Sequence, residues 1–596
     1  MLKQNIELSQ NHPFSNTINQ PTHEDQTLKT GPDVHQQQQP HQKHLKHTAF
    51  IYLMSLNACL GSFFFGYNLG VYNTCQKVIA TLNNWSSSQN TNYTSIITAA
   101  MPLGAFIAAI FSKSLIAALK GIRRSMILFD IIGIIGTIIL ICQNDLSNLI
   151  IGRIISGFCI GMNTSLVPEY IRDFAPIEIR SRVGSINQIL LTSGVFISYL
   201  MSLILPLPSE LTDNPNGNYN VNWRIVLGLP IATCTLRLLI LWFKFTHETP
   251  TIMVKQHHFQ EVREYLQMVY EDDEDQKKAY SEICEVAGVE SSAEQVDQLQ
   301  NSVQDQNGKA IKQSDEKLDK IHKKPNQKDV SPEQSHHNNT GIDVNIMNEE
   351  HICYEKFFEL LDKKSYWKRV LLGCIIQYGT QCSGVNALLF YSNQIFQQTT
   401  GSEMTSRICT IFLGLSMVVY SLISMQLVIK FGRRSIMNNS VILTTSMLVL
   451  FAILQKLPSS YGIQVTGILF IFIYMFGWQA GLGTTVWVYN NEILDRKGLA
   501  WSSFIRWLFT MIVGVVFPYM NTSIGLFGAF LIFGGLIFMC LIYFWFFMYE
   551  TKGKSRLEIM KLFNDQKDID LFDKEAKEYA KQKIQQNRSN QDTEHL

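Results

Sequence analysis

Long apolar runs alternate with polar stretches along the chain. The runs fall at about 48–74, 95–118, 125–143, 148–172, 183–207 and 223–246, and, after a long polar interval, at about 367–393, 405–429, 435–455, 463–491, 500–521 and 525–549. Each is near the roughly 20 residues that carry a helix across a bilayer core of about 30 Å. The pattern predicts an all-α membrane protein of twelve transmembrane helices in two six-helix bundles, 48–246 and 367–549. Residues 1–47 and 550–596 read as polar cytosolic tails, the first disordered. In the interval 247–366, Phe259, Val262, Tyr265, Leu266 and Val269 recur at helical spacing, as do Tyr354, Phe357, Phe358 and Leu361. They predict amphipathic helices against one mouth of the bundle. The polar middle, 288–345, reads as a disordered insert: a plain spacer, or the docking segment of a regulatory partner.

Charge orients the spans. Basic residues gather after even-numbered runs, at Lys120, Arg123 and Arg124, at Arg180 and Arg182, at Lys430, Arg433 and Arg434, and at Arg496 and Lys497. The positive-inside rule then places both termini in the cytosol. The sequons beginning at Asn84 and Asn92 fall in the first outer loop, where a glycan can be attached in a plasma-membrane protein. A net charge of +1 speaks against a nucleic-acid partner. Eleven cysteines without a metal-type pair, and no nucleotide loop or nucleophile constellation, speak against a metal, a cofactor or an enzyme.

One stretch departs from the greasy pattern. Residues 377–392, QYGTQCSGVNALLFYS, put several amides at membrane depth, where each must find a partner. Gln381 and Asn386 lie five positions apart, about 140° around a continuous helix at about 100° per residue. An unbroken helix could not aim both at one cavity, so a break is expected near Ser383-Gly384. Broken helices at midplane are how many carriers build a binding site.

These residues also carry a resemblance. QxxxQxSGxNxxxxYS is similar to the seventh-helix signature of the sugar porters in the major facilitator superfamily, with Thr380 in place of the family's first adjacent glutamine and Phe390 in place of its first tyrosine. Other marks agree: Gly66-Tyr67-Asn68, KGIRR at 120–124, Gly152-Arg153, Gln188, Trp223-Arg224, KFGRR at 430–434, Trp487 and ETKG at 550–553. Ile122 stands where the loop motif has glycine, Thr484 and Val486 where the family has prolines, HETPT lacks the usual arginine, and Tyr549 replaces a proline. The resemblance covers about 48–565 and is nearest to the GLUT-type facilitative glucose transporters. It implies hexose transport by alternating access, with sugar held by Gln188, Gln377, Gln381, Asn386, Phe390, Tyr391 and Trp487. It also implies a cytosolic charge network of Arg123, Arg124, Asp173, Arg180, Arg433, Arg434, Glu492 and Arg496 that joins the halves when the carrier opens outward.

Asn68 stands where proton-coupled members carry aspartate; an amide cannot titrate, which favours a facilitator. The alternatives are a proton symporter using another acid, and a sugar-sensing receptor that signals through the 288–345 insert. Arg506, beside Trp507, is the outlier, because the family more often has asparagine there. It needs a partner, either a neutral acceptor near the cavity or a substrate of acidic character.

Overall fold

The computed structural model describes residues 46, 48–207, 210, 221–287, 289, 365–458, 460–554, 556–564, 566 and 569–570, and of 177, 178, 181, 496 and 556 the backbone alone. The expectations for the N-terminal tail, the 288–345 insert, the 354–361 helix edge and the distal C-terminal tail fall almost wholly outside these residues. Within them the fold is helical, with no strand.

The first six spans are α1 (Thr48–Leu82), α2 (Ser87–Ala118), α3 (Ile122–Cys142), α4 (Leu146–Phe174), α5 (Ile177–Leu200) and α6 (Asn222–Phe243). Three short helices follow, α7 (Pro250–Lys255), α8 (Phe259–Val269) and α9 (Asp273–Ala287). The later spans are α10 (365–382), α11 (Val385–Thr400), α12 (Glu403–Lys430), α13 (Arg433–Leu454), α14 (Tyr461–Trp478), α15 (Val486–Ile493) and α16 (Arg496–Phe547), closed by α17 (Arg556–Phe563).

Among the described residues ten helices are long and apolar enough to cross a membrane, against the expected twelve. Two local features account for the difference. The eleventh and twelfth expected spans run on as α16, broken at Gly525, whose φ of 67° only glycine adopts readily. The seventh is split into α10 and α11, each too short or too polar to cross alone. Large apolar side chains such as Phe243, Met539 and Phe546 ring the outside, as a protein bathed in lipid requires.

Packing pairs α1 with α5, α2 with α4, and α3 with α4 and α6; α13 packs on α14 and α16. The two sets of spans meet where α2 lies along α16 and α5 along α12. Of the amphipathic edges, α8 forms as expected, burying Val262, Leu266 and Val269 in a cluster with Tyr170 and Phe174.

The same device recurs in both sets of spans. Glu248 accepts from the backbone N–H groups of Arg123 and Arg124 at 3.0 Å each, capping the start of α3. Glu550 accepts from Arg433 and Arg434 at 2.9 and 3.1 Å, capping α13. A carboxylate fits there because the first turn of a helix leaves its N–H groups unpaired and carries the positive end of the dipole. Room comes from glycine: a Cβ at Gly121 would meet Glu248 at 2.3 Å, and one at Gly432 would meet Glu550 at 2.2 Å. With Ile122 in the motif's glycine position the capping glycine sits one residue earlier, and Lys120 takes φ 53° to make the turn.

Candidate functional site

The expected break is present. Helix α10 ends at 382 and α11 begins at Val385, with Gly384 at φ 86° between them. Ending a helix at membrane depth strands carbonyls, and side chains supply donors to two of them here. The Thr380 carbonyl accepts from Ser383 Oγ at 2.8 Å and Trp478 Nε1 at 3.5 Å, and the Ser383 carbonyl accepts from Tyr474 at 3.0 Å. The break turns Asn386 back over α10. Its Nδ2 donates to Gln381 Oε1 at 2.7 Å, and Thr510 Oγ1, from α16, lies 2.9 Å from the same oxygen.

These amides line a cavity of about 50 Å3 with Phe65, Gln188, Gln377, Trp487, Arg506 and Trp507. It has room for a few waters at about 10–15 Å3 each and none for a pyranose, so the site is contracted in this structure. A π-helical stretch, Gln479–Thr485, runs into α15 just before Trp487, which stands on the wall. The face of Trp487 is taken: the Arg506 guanidinium sits 4.4 Å from its ring centre, and 5.5 and 5.7 Å from those of Trp507 and Phe65.

Five of the seven expected sugar residues therefore share one cavity. Phe390 and Tyr391 do not line it. Tyr391 instead donates to the Gly514 carbonyl at 2.8 Å, pinning α11 to α16. Asn68 also lies off the cavity; its amide donates to the Phe64 carbonyl of its own helix at 2.9 Å, and its carbonyl accepts from the buried Arg153 at 3.0 Å. Thr510 was missed, although it follows the outlier Arg506 by one helical turn. The buried pair Asp130–Arg237 was missed as well; both side chains are 1% exposed and joined through both carboxylate oxygens.

The expected gate charges pair within their own set of spans. Arg123 donates to the Leu241 and Phe245 carbonyls, Arg124 lies 3.9 Å from Glu248, and Asp173 accepts from Thr249. Arg180 donates to the Ala175 carbonyl, Arg433 to Glu492 at 3.0 Å, and Arg434 to the Trp545 carbonyl. Arg496 opens α16, and its side chain is outside the described atoms. Bonds that cross between the sets cluster at the opposite end, near the α1–α2 turn. There Asn73 donates to Ser392 at 2.7 Å, Tyr199 to the Leu389 carbonyl at 2.8 Å, and Arg407 to the Leu205 carbonyl at 2.8 Å. Lys77 donates to Gln397 and lies 3.6 Å from Glu403.

A family model described as sugar (and other) transporter matches residues 54–307 and 305–563. The chain belongs to that sugar transporter family. It is 24% identical over 516 residues to the glucose transporter GlcP of Staphylococcus epidermidis, covering 85% of this chain and 96% of that one. It is 24% identical over 572 residues to facilitated glucose transporter member 2 of solute carrier family 2 from Sus scrofa, covering 87% and 94%. Over 529 residues it is 24% identical to myo-inositol transporter 2 of Schizosaccharomyces pombe, covering 87% and 82%. In structure the transporter resembles the inward-open form of the xylose transporter XylE from E. coli, with a TM-score of 0.61, 18% identity, and 86% of this chain and all of that one covered. The fold is that of the major facilitator superfamily, in an integral, multi-pass membrane protein.

Proposed function

We propose that this sugar transporter is a facilitative hexose carrier working by alternating access. The amide cluster at the helix break carries the reading. Gln381 and Asn386, with Gln188 and Gln377 lining the same cavity, offer paired donors and acceptors, which suits vicinal hydroxyls. Substrate enters between the two bundles, 48–246 and 367–549, and the bundles rock about it.

The groups able to take up a proton support this mode. No carboxylate lines the cavity among the described residues, and Asn68 offers an amide bonded to its own helix. Asp130, buried in α3, is engaged by Arg237. These features support cargo moving down its own gradient. With both termini cytosolic and the protein in the plasma membrane, the Lys77 end faces outward. The bonds across that end and the self-paired gate charges at the other suit a form closed to the outside, as a carrier turning inward requires. An N-glycan fits best at Asn84, which is exposed in the turn after α1; Asn92 lies within α2 and accepts from Tyr519.

Uptake of labelled glucose and fructose into cells lacking hexose carriers tests this, with and without an uncoupler. Saturable uptake that resists uncoupling and falls in Gln381→Leu is expected. Uptake abolished by the uncoupler would make the protein a symporter, and none of either sugar despite surface expression would overturn the hexose reading.

A further inference from the structure

The cavity holds a full positive charge that no described protein group balances. Other arginines set within the helical body each give an N–H to an oxygen: Arg153 to the Asn68 carbonyl, Arg237 to Asp130, Arg369 to the Ile493 carbonyl, and Arg407 to the Leu205 and Pro206 carbonyls. Arg506 differs. Among the described residues its guanidinium meets three ring faces and no oxygen. Rings offset part of a cation's desolvation but leave its N–H donors without acceptors. A guanidinium does not deprotonate in proteins, so the charge persists, half-buried among the rings and turned toward a cavity with room for only a few waters.

The position is also informative. Arg506 stands one helical turn before Thr510, which touches Gln381, so the charge and the amide cluster face the same space. No Asp or Glu lines that space, and Arg506 is its one cationic lining residue among those described. Resting on the reading of this cavity as the substrate site, we infer that it accepts sugars bearing one carboxylate, such as a hexuronate or an aldonate. The carboxylate pairs with Arg506 and the hydroxyls with Gln381, Asn386 and Gln377. A planar guanidinium matches a carboxylate through two parallel N–H bonds. A single cation suits a monoanion better than a phosphate ester, which carries nearly two charges at neutral pH. On binding, the carboxylate would draw Arg506 from Trp487 and free that ring face for the sugar.

The test uses purified full-length protein in liposomes, with labelled glucuronate and labelled glucose as probes. In the wild type, glucuronate is expected to be taken up saturably and to compete with glucose, and to raise the melting temperature of the detergent-solubilised protein. The ratio of glucuronate to glucose uptake should fall at least tenfold in Arg506→Asn and recover in part in Arg506→Lys. Glucose uptake that glucuronate and gluconate neither inhibit nor accompany would overturn the inference and leave the hexose carrier standing. An unchanged ratio in Arg506→Asn would also overturn it. Glucuronate uptake without glucose uptake would support the inference and sink the hexose assignment, whereas neither binding nor uptake of either would sink both. The wild-type competition and melting measurements decide the matter even where a variant fails to fold.

Discussion

Asn386 donates to Gln381 at 2.7 Å across the break in the seventh span, although the two lie five positions apart and would face different ways on a straight helix. The bond fixes the angle between α10 and α11 and leaves the Gln381 NH2 free of that partner. Replacing Gln381 by leucine removes the acceptor of Asn386 Nδ2, whereas Thr510 keeps the Arg506 carbonyl at 2.8 Å. An unsatisfied buried donor costs about 1–3 kcal/mol, and about 1.4 kcal/mol is tenfold in affinity. Gln381→Leu should therefore raise the half-saturation concentration for sugar by about fivefold to about a hundredfold, which initial-rate uptake would read. An unchanged value would remove Gln381 from the site.

Gly384 holds the break. At φ 86° an alanine costs about 1–2 kcal/mol in backbone strain, and its Cβ would stand 3.0 Å from the Phe533 ring. Gly384→Ala should lower the melting temperature and reduce uptake together. The same change at Gly535, where a Cβ meets nothing within 4 Å, should do neither.

The Asp130–Arg237 pair bridges α3 and α6 away from the cavity. Removing one partner of a buried pair typically costs about 3–5 kcal/mol, whereas replacing both with apolar groups is often neutral or stabilising. Asp130→Asn should thus yield little folded protein, and Asp130→Leu with Arg237→Met should restore it. Equal loss in the single and double variants would mean that the pair does more than hold helices together.

Glu550 ties stability to pH. Burial works against its charge, but bonds from the backbone N–H groups of Lys552, Arg433, Arg434 and Thr551 outweigh it and hold the carboxyl below its ordinary range. A lowered folded-state value stabilises fully above the unfolded value, about 4.3, and is lost as pH falls through the folded one. Glu550→Gln should therefore melt lower than wild type at about pH 7, and the gap should narrow by about pH 4. A gap independent of pH would assign the effect to shape instead of charge.

Much of this was legible in the chain. The break could be read because two amides with the wrong helical spacing must still share a partner, and the spans because bilayer thickness sets their length. What could not be read depends on how distant helices pack. Asp130 and Arg237 are 107 residues apart and meet only once α3 lies against α6. The stacking of Arg506 on Trp487 joins α16 to α15. Tyr391 reads as a sugar ligand by position in its motif, yet a non-helical φ of −136° turns it toward Gly514. The run-on of the last two spans into α16 was equally hidden, since a glycine with positive φ can break a helix without ending it.

Lys77 closes the end of the carrier opposite the basic loops. It donates to Gln397 and faces Glu403 at 3.6 Å, while Gln397 donates to Glu403 at 3.2 Å, so one lysine joins α1 to both α11 and α12. The two charges are 27% and 32% exposed, so solvent screens the pair and its worth is about 0.2–1 kcal/mol, at most a fivefold change in population. Lys77→Ala should enlarge the population open at this end by up to that factor, and raised salt should imitate it in the wild type. Spin labels at Thr81 and Met404, on the ends of α1 and α12 beside Lys77 and Glu403, would report the change as a growing long-distance component. No growth in either condition would place the closure in the uncharged bonds Asn73–Ser392 and Tyr199–Leu389, which salt does not weaken.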